Sequence, residues 1–143
     1  MDDALPRPAR LLGPAGLVPF AGLALGASLG WPGAAPALAA YGATILAFLG
    51  AVHWGLALRA GPAERGADWA RLGLGVLPAL IAWVALLLPL PAGLGLLAAA
   101  ILGTAGVESV AARAGLVPAS YLRLRWVLSL GAAACLLLGL TTK

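Results

Sequence analysis

Few side chains in this sequence could do chemistry, and each stands in apolar surroundings. His53, the single histidine, lies in AFLGAVHWGL (47–56) beside Trp54. Glu108 interrupts ILGTAGVESV (101–110), and Ser129 and Cys135 lie in LSLGAAACLLL (128–138). An imidazole and a carboxylate are the pair that acid–base or proton-relay chemistry uses. One histidine cannot supply a multi-His metal or di-haem site. One cysteine cannot close an intrachain disulfide, and Cys135 lacks metal-ligand spacing. Nothing in the sequence sets Ser129 or Cys135 beside His53, so no convergent catalytic constellation exists to read. The expectation is a non-enzymatic protein with no catalytic residue and no metal ligand assigned.

The elements that must position these groups follow from composition. The chain has 143 residues, 62% hydrophobic and 10% charged, with a mean hydropathy of +1.01. A soluble domain is about 25% charged, so a lipid bilayer is the natural solvent and partner. A net charge of +4 raises nucleic acid as a partner, but the arginines are scattered through short loops and form no basic patch. Crossing a bilayer as a helix takes about 20 apolar residues. Five stretches qualify, at roughly 11–30, 37–58, 72–90, 92–112 and 124–141. The expected fold is all-α, an integral membrane bundle of five transmembrane helices forming one domain over 1–143.

Charge then gives direction. Arg7, Arg10, Arg59, Arg65, Arg71, Arg113, Arg123 and Arg125 fall on one side of the bundle, and Lys143 alone on the other. Positive residues collect on the cytoplasmic side, so the N-terminus is expected in the cytoplasm and the C-terminus in the periplasm. An Ala-, Leu- and Gly-heavy composition with arginine preferred over lysine suggests a bacterial inner membrane. A cleaved signal peptide is not expected, because the first apolar stretch is too long and contains Pro14 and Pro19.

With the ends oriented, the costly residues crowd one leaflet. Pro14, Pro19, His53, Trp54, Pro78 and Glu108 all lie in the cytoplasmic half. Each proline frees the carbonyl four residues earlier, Leu74 for Pro78 and Ala15 for Pro19. Lipid cannot satisfy such groups. Gly42, Leu46, Gly50, His53 and Ala57 share one helical sector, and its small residues favour close helix approach. His53 should therefore face protein. Glu108 shares a face with Leu97, Ile101, Thr104 and Ala112. A charge at a membrane-helix centre costs about 2.5–3.5 kcal/mol, so Glu108 should be partnered or neutral. His53 is five residues inside Arg59, and Glu108 is five inside Arg113. Their depths match, and a contact is allowed. The competing account has Glu108 reaching toward Arg113, Arg123 or Arg125 while His53 bonds a carbonyl. Trp31, Trp69 and Trp126 fall where interfacial anchors belong. The segment from Arg113 to Trp126 has the composition of a surface-lying stretch ahead of the fifth helix. The candidate ligand-binding residues are His53, Trp54, Glu108, Arg113, Tyr121, Arg123 and Arg125.

Four blocks carry a family resemblance: LLGPAGLVPF (11–20), YGATILAFLGAVHWGLAL (41–58), GVLPALIAW (75–83) and ARAGLVPASYLRLRW (112–126). They resemble the transmembrane protein 69-like family of small multi-pass proteins of bacteria and mitochondria, a family of uncharacterised function. The resemblance implies an inner-membrane setting and makes His53 and Trp54 part of the shared signature. It implies no cofactor or activity. Two readings stay open. One is a lipid-, quinone- or porphyrin-binding protein, or an accessory of a larger membrane complex, as monomer or homo-oligomer. The other is a proton-coupled small-molecule transporter using His53 and Glu108.

Overall fold

A computed structural model describes residues 5–115 and 117–141, with the backbone alone at 64, 65 and 67. Lys143 and the Arg65 side chain, both used in the charge argument, lie outside the described residues. The helices are α1 (Arg7–Ala15), α2 (Leu17–Ser28), α3 (Ala34–Arg59), α4 (Asp68–Leu87), α5 (Leu90–Arg113) and α6 (Ala119–Leu138). Short 3-10 segments cover Pro62–Ala67 and Gly139–Thr141. Five spans of 22, 26, 20, 24 and 23 residues are long and apolar enough to cross a membrane, α1 and α2 together forming the first. At 1.5 Å per residue, even 20 residues reach about 30 Å, the hydrocarbon thickness. This is an all-α, multi-pass membrane bundle.

The first span is two helices because of its prolines. Pro19 has no N–H to offer the carbonyl of Ala15, and the chain is interrupted at Gly16 between Pro14 and Pro19. The break is held from across the bundle. The Tyr41 hydroxyl donates to Gly16 O at 2.7 Å, and the Tyr41 ring meets Phe20 edge-on at 4.7 Å between centroids. Between α2 and α3 the turn uses left-handed backbone at Gly30 and Gly33. There Trp31 folds back onto Gly26, where an added Cβ would lie 2.9 Å from the indole.

α3 and α4 approach at Gly50 and Gly75. A Cβ built on Gly50 would be 2.6 Å from Gly75 O and 3.3 Å from Leu74 O. The carbonyl that Pro78 frees therefore lies against the Cα of Gly50, inside protein and not in lipid. α4 and α5 come as close, since a Cβ on Gly93 would overlap the Ala85 carbonyl. The large core side chains Phe20, Leu38, Leu46, Leu94, Leu97, Ile101 and Leu136 are fully buried between these contacts.

The stretch before the last helix does not lie flat. The chain leaves α5 through Gly115, at φ +76°. Pro118 is the N-cap of α6, and its carbonyl accepts from the Leu122 amide at 3.1 Å. Residues 119–126 are thus the first two turns of the fifth span, which begins five residues earlier than the apolar run alone indicates. That shift carries Arg125 into the bundle.

Candidate functional site: a buried His–Glu–Arg cluster between two cavities

α3, α5 and α6 each bring one ionisable side chain to a common point. His53 is on the Gly42–Gly50 stripe of α3. Glu108 follows Leu97, Ile101 and Thr104 on the buried face of α5. Arg125 heads the buried face of α6, with Ser129, Ala132 and Leu136 below it. His53 and Arg125 are 2% exposed and Glu108 is 0% exposed. His53 Nε2 lies 2.8 Å from Glu108 Oε1. Arg125 Nε donates to Glu108 Oε2 at 2.7 Å, and Arg125 Nη1 donates to Ser129 Oγ at 2.9 Å. Each carboxylate oxygen has one partner among the described residues. The positive charge on Arg125 balances the negative charge on Glu108, which is how buried charges are tolerated.

The cluster separates two cavities. One, of about 150 Å³, is lined by Arg125 and Ser129 and otherwise by apolar side chains including Leu17, Phe20, Ile45 and Ile101. Leu12 and Phe48 also line it and are exposed, so it reaches the lateral surface of the bundle. Arg125 Nη2 is buried and has no hydrogen-bond partner among the described residues. The other cavity, of about 250 Å³, is lined by His53 and Arg71 among Leu56, Leu74, Val107 and Val117. A donor and an imidazole thus face different apolar spaces, with Glu108 between them.

A family model described as "Protein of unknown function (DUF3429)" matches residues 5–141. This chain belongs to the DUF3429 family. It is also similar to Transmembrane protein 69 of Xenopus tropicalis, at 46% identity over 91 residues. That match covers 61% of this chain and 35% of the relative, so the chain spans about a third of the length of that protein. No solved structure matches.

In this DUF3429 chain the residues singled out from sequence divide into groups. His53, Glu108 and Arg125 meet. Trp54 turns to α4. Its indole N–H donates to Leu72 O at 3.2 Å, its ring occupies the space a side chain at Gly75 would need, and it is 41% exposed. It lines neither cavity described above. Arg113 and Arg123 are exposed. Tyr121 is partly buried, and its hydroxyl is buried without a hydrogen-bond partner among the described residues. Trp126 is more than an anchor, because its N–H donates to Ser109 Oγ at 2.8 Å and ties α6 to α5.

Three structural contacts around the site are not legible in the sequence. Ser129 was visible only as a hydroxyl in an apolar run. Its spacing of four from Arg125 is the signal that places both on one helix face. Arg71 counts as a topology-setting charge, yet it is 5% exposed and lines the second cavity. Tyr41 has no local signal, because its partner Gly16 is 25 residues away.

Proposed function

We propose that this protein is a non-enzymatic binder of a neutral hydrophobic small molecule carrying a carbonyl group, held in the Arg125 cavity. The observation that carries the reading is Arg125: its side chain lines an otherwise apolar cavity beside Ser129, and its Nη2 is buried without a hydrogen-bond partner among the described residues. A buried donor left unpaired costs about 1–3 kcal/mol, which an acceptor on a ligand would recover. Arg125 and Glu108 already cancel in charge, so a neutral acceptor keeps the site balanced where a carboxylate would not. A cavity of about 150 Å³ is the size that admits one benzene ring in an engineered protein core. A quinone ring or the ester end of a lipid fits that space, and a porphyrin exceeds it. The tail would leave past Leu12 and Phe48 into the bilayer.

Leu128 lines the same cavity, and Leu128→Trp would fill it. Native mass spectrometry of protein extracted in mild detergent should show a bound quinone or lipid. Occupancy should fall at least several-fold in Leu128→Trp with the fold retained. Equal occupancy in the variant would refute this reading. A second reading, a proton-coupled carrier, draws support from the 2.8 Å His53–Glu108 contact. Proton flux into proteoliposomes that requires Glu108 would favour it instead.

The reading also places the protein in a bacterial inner membrane as one domain, with its arginine-rich end in the cytoplasm. Arg113 and Trp31 are exposed near opposite ends of the helices. In a Cys135→Ala background, an impermeant thiol reagent added to spheroplasts should label Trp31→Cys and spare Arg113→Cys. The reverse pattern would invert the topology.

A further inference from the structure

Arg125 fixes the role of Glu108, and Glu108 in turn fixes that of His53. A guanidinium stays charged in proteins, and an ionised Glu108 balances that charge and accepts on both oxygens. With Glu108 ionised, the 2.8 Å contact runs from His53 Nε2–H to Glu108 Oε1. His53 makes no other side-chain hydrogen bond among the described residues. With its charge-balanced neighbours Glu108 and Arg125, a neutral ring keeps the cluster neutral, and its Nδ1 is then a bare acceptor. The side chain is 2% exposed and lines the 250 Å³ cavity. In that tautomer the free acceptor belongs to a side chain that lines a largely apolar space.

We propose that this second cavity takes the hydroxyl group of a neutral amphiphile, which donates its hydrogen bond to His53 Nδ1. Polarity selects the ligand class. A carbonyl or an ether has no proton to donate to a bare nitrogen. An ammonium has one, but it would bring a net charge into a largely apolar space, which is costly. A hydroxyl donates without charge. Apart from Arg71, the remaining wall is aliphatic, and Ala70, Val107 and Val110 are exposed along it, so an alkyl tail can leave between α4 and α5. The two cavities then have opposite hydrogen-bond polarity, a donor at Arg125 and an acceptor at His53. This inference does not rest on what fills the Arg125 cavity.

The chain has one histidine, so nitrogen NMR on protein labelled with 15N-histidine reports a single ring. In nanodiscs the proton should be on Nε2. Added 1-decanol should move Nδ1 saturably upfield, and a methyl ether of the same length should not. The alcohol should bind about five- to tenfold more tightly, the worth of one hydrogen bond. Val107→Trp, which fills this cavity, should abolish the response and leave the tautomer unchanged. A proton on Nδ1, a doubly protonated ring, equal responses to alcohol and ether, or a response that survives Val107→Trp would each overturn the proposal. Leu128→Trp should leave the alcohol response intact, which separates failure here from failure of the carbonyl site.

Discussion

Glu108→Leu is expected to destabilise the folded protein by about 3–5 kcal/mol, the cost of leaving a buried charge without its partner. The carboxylate is fully buried and takes Arg125 on one oxygen and His53 on the other. Without it, Arg125 keeps its positive charge and retains one hydrogen bond to an uncharged group, Ser129. The guanidinium cannot lose its proton. Its Cα is six residues into α6, about 9 Å from the helix start at 1.5 Å per residue, so reaching the interface would empty the space it fills in the core. Glu108→Gln should lie between wild type and Glu108→Leu, since the shape survives and the charge does not. The double variant Glu108→Leu with Arg125→Met should recover most of the loss, because an apolar pair of similar volume removes both desolvation costs. Thermal unfolding in dodecyl maltoside, followed by circular dichroism, compares the three. A Glu108→Leu protein that unfolds like wild type would mean that Arg125 leaves the cluster freely, and the carbonyl site built on it would lose its basis.

That recovery would also say what the cluster is for. If an apolar pair of similar volume holds the fold as well, stability alone does not account for three ionisable groups in the core. The arrangement does put an ionisable side chain of the cluster in the wall of each of two neighbouring cavities, Arg125 in one and His53 in the other. Glu108 links the two, with one partner per oxygen among the described residues.

How much of this the sequence carries depends on the range of the interaction. The five spans follow from apolar length alone. So does the inward face of His53, because Gly42, Leu46 and Gly50 mark a stripe at helical spacing and all four are buried. Matched depth allows the His53–Glu108 contact once the ends of the spans are fixed, but depth alone does not say that α3 and α5 touch there. Arg125 was harder. Arg123 and Arg125 look alike two residues apart, and only the phase of α6 separates them, leaving one exposed and the other at 2%. That phase was obscured because residues 119–123 are polar enough to resemble an interfacial stretch, while Pro118 starts the helix there. Trp54 beside Gly75 and Tyr41 on Gly16 are contacts between separate spans. No pattern within one helix encodes which neighbour it will meet.

The α3–α4 contact supplies the second large effect. Gly50→Ala is expected to destabilise by about 1–3 kcal/mol, the usual range for overpacking, and Gly50→Val by more. The obstacle is backbone. The new Cβ would sit 2.6 Å from Gly75 O and 3.3 Å from Gly75 C and Leu74 O, and none of these can rotate away. Relief requires α4 to move outward. That motion would weaken the Trp54–Leu72 bond and carry Leu74 O away from the glycine that shields it from lipid. Two comparisons isolate the cause. Gly75→Ala also clashes, but with the Trp54 side chain, so adding Trp54→Ala should relieve much of it. The same Trp54→Ala change should not rescue Gly50→Ala. Gly55 is on the same helix with nothing within 4 Å of an added Cβ. Gly55→Ala should be neutral or stabilising, since alanine is favoured over glycine in a helix by up to about 1 kcal/mol. If Gly50→Ala and Gly55→Ala shifted the unfolding midpoint alike, helix propensity and not interhelical contact would govern α3. His53 is one turn from Gly50, so the distance between α3 and α4 also sets the width of the cavity that holds its free nitrogen. Gly50→Ala should therefore change the decanol response of Nδ1 as well as the midpoint, and Gly55→Ala should change neither by the same route.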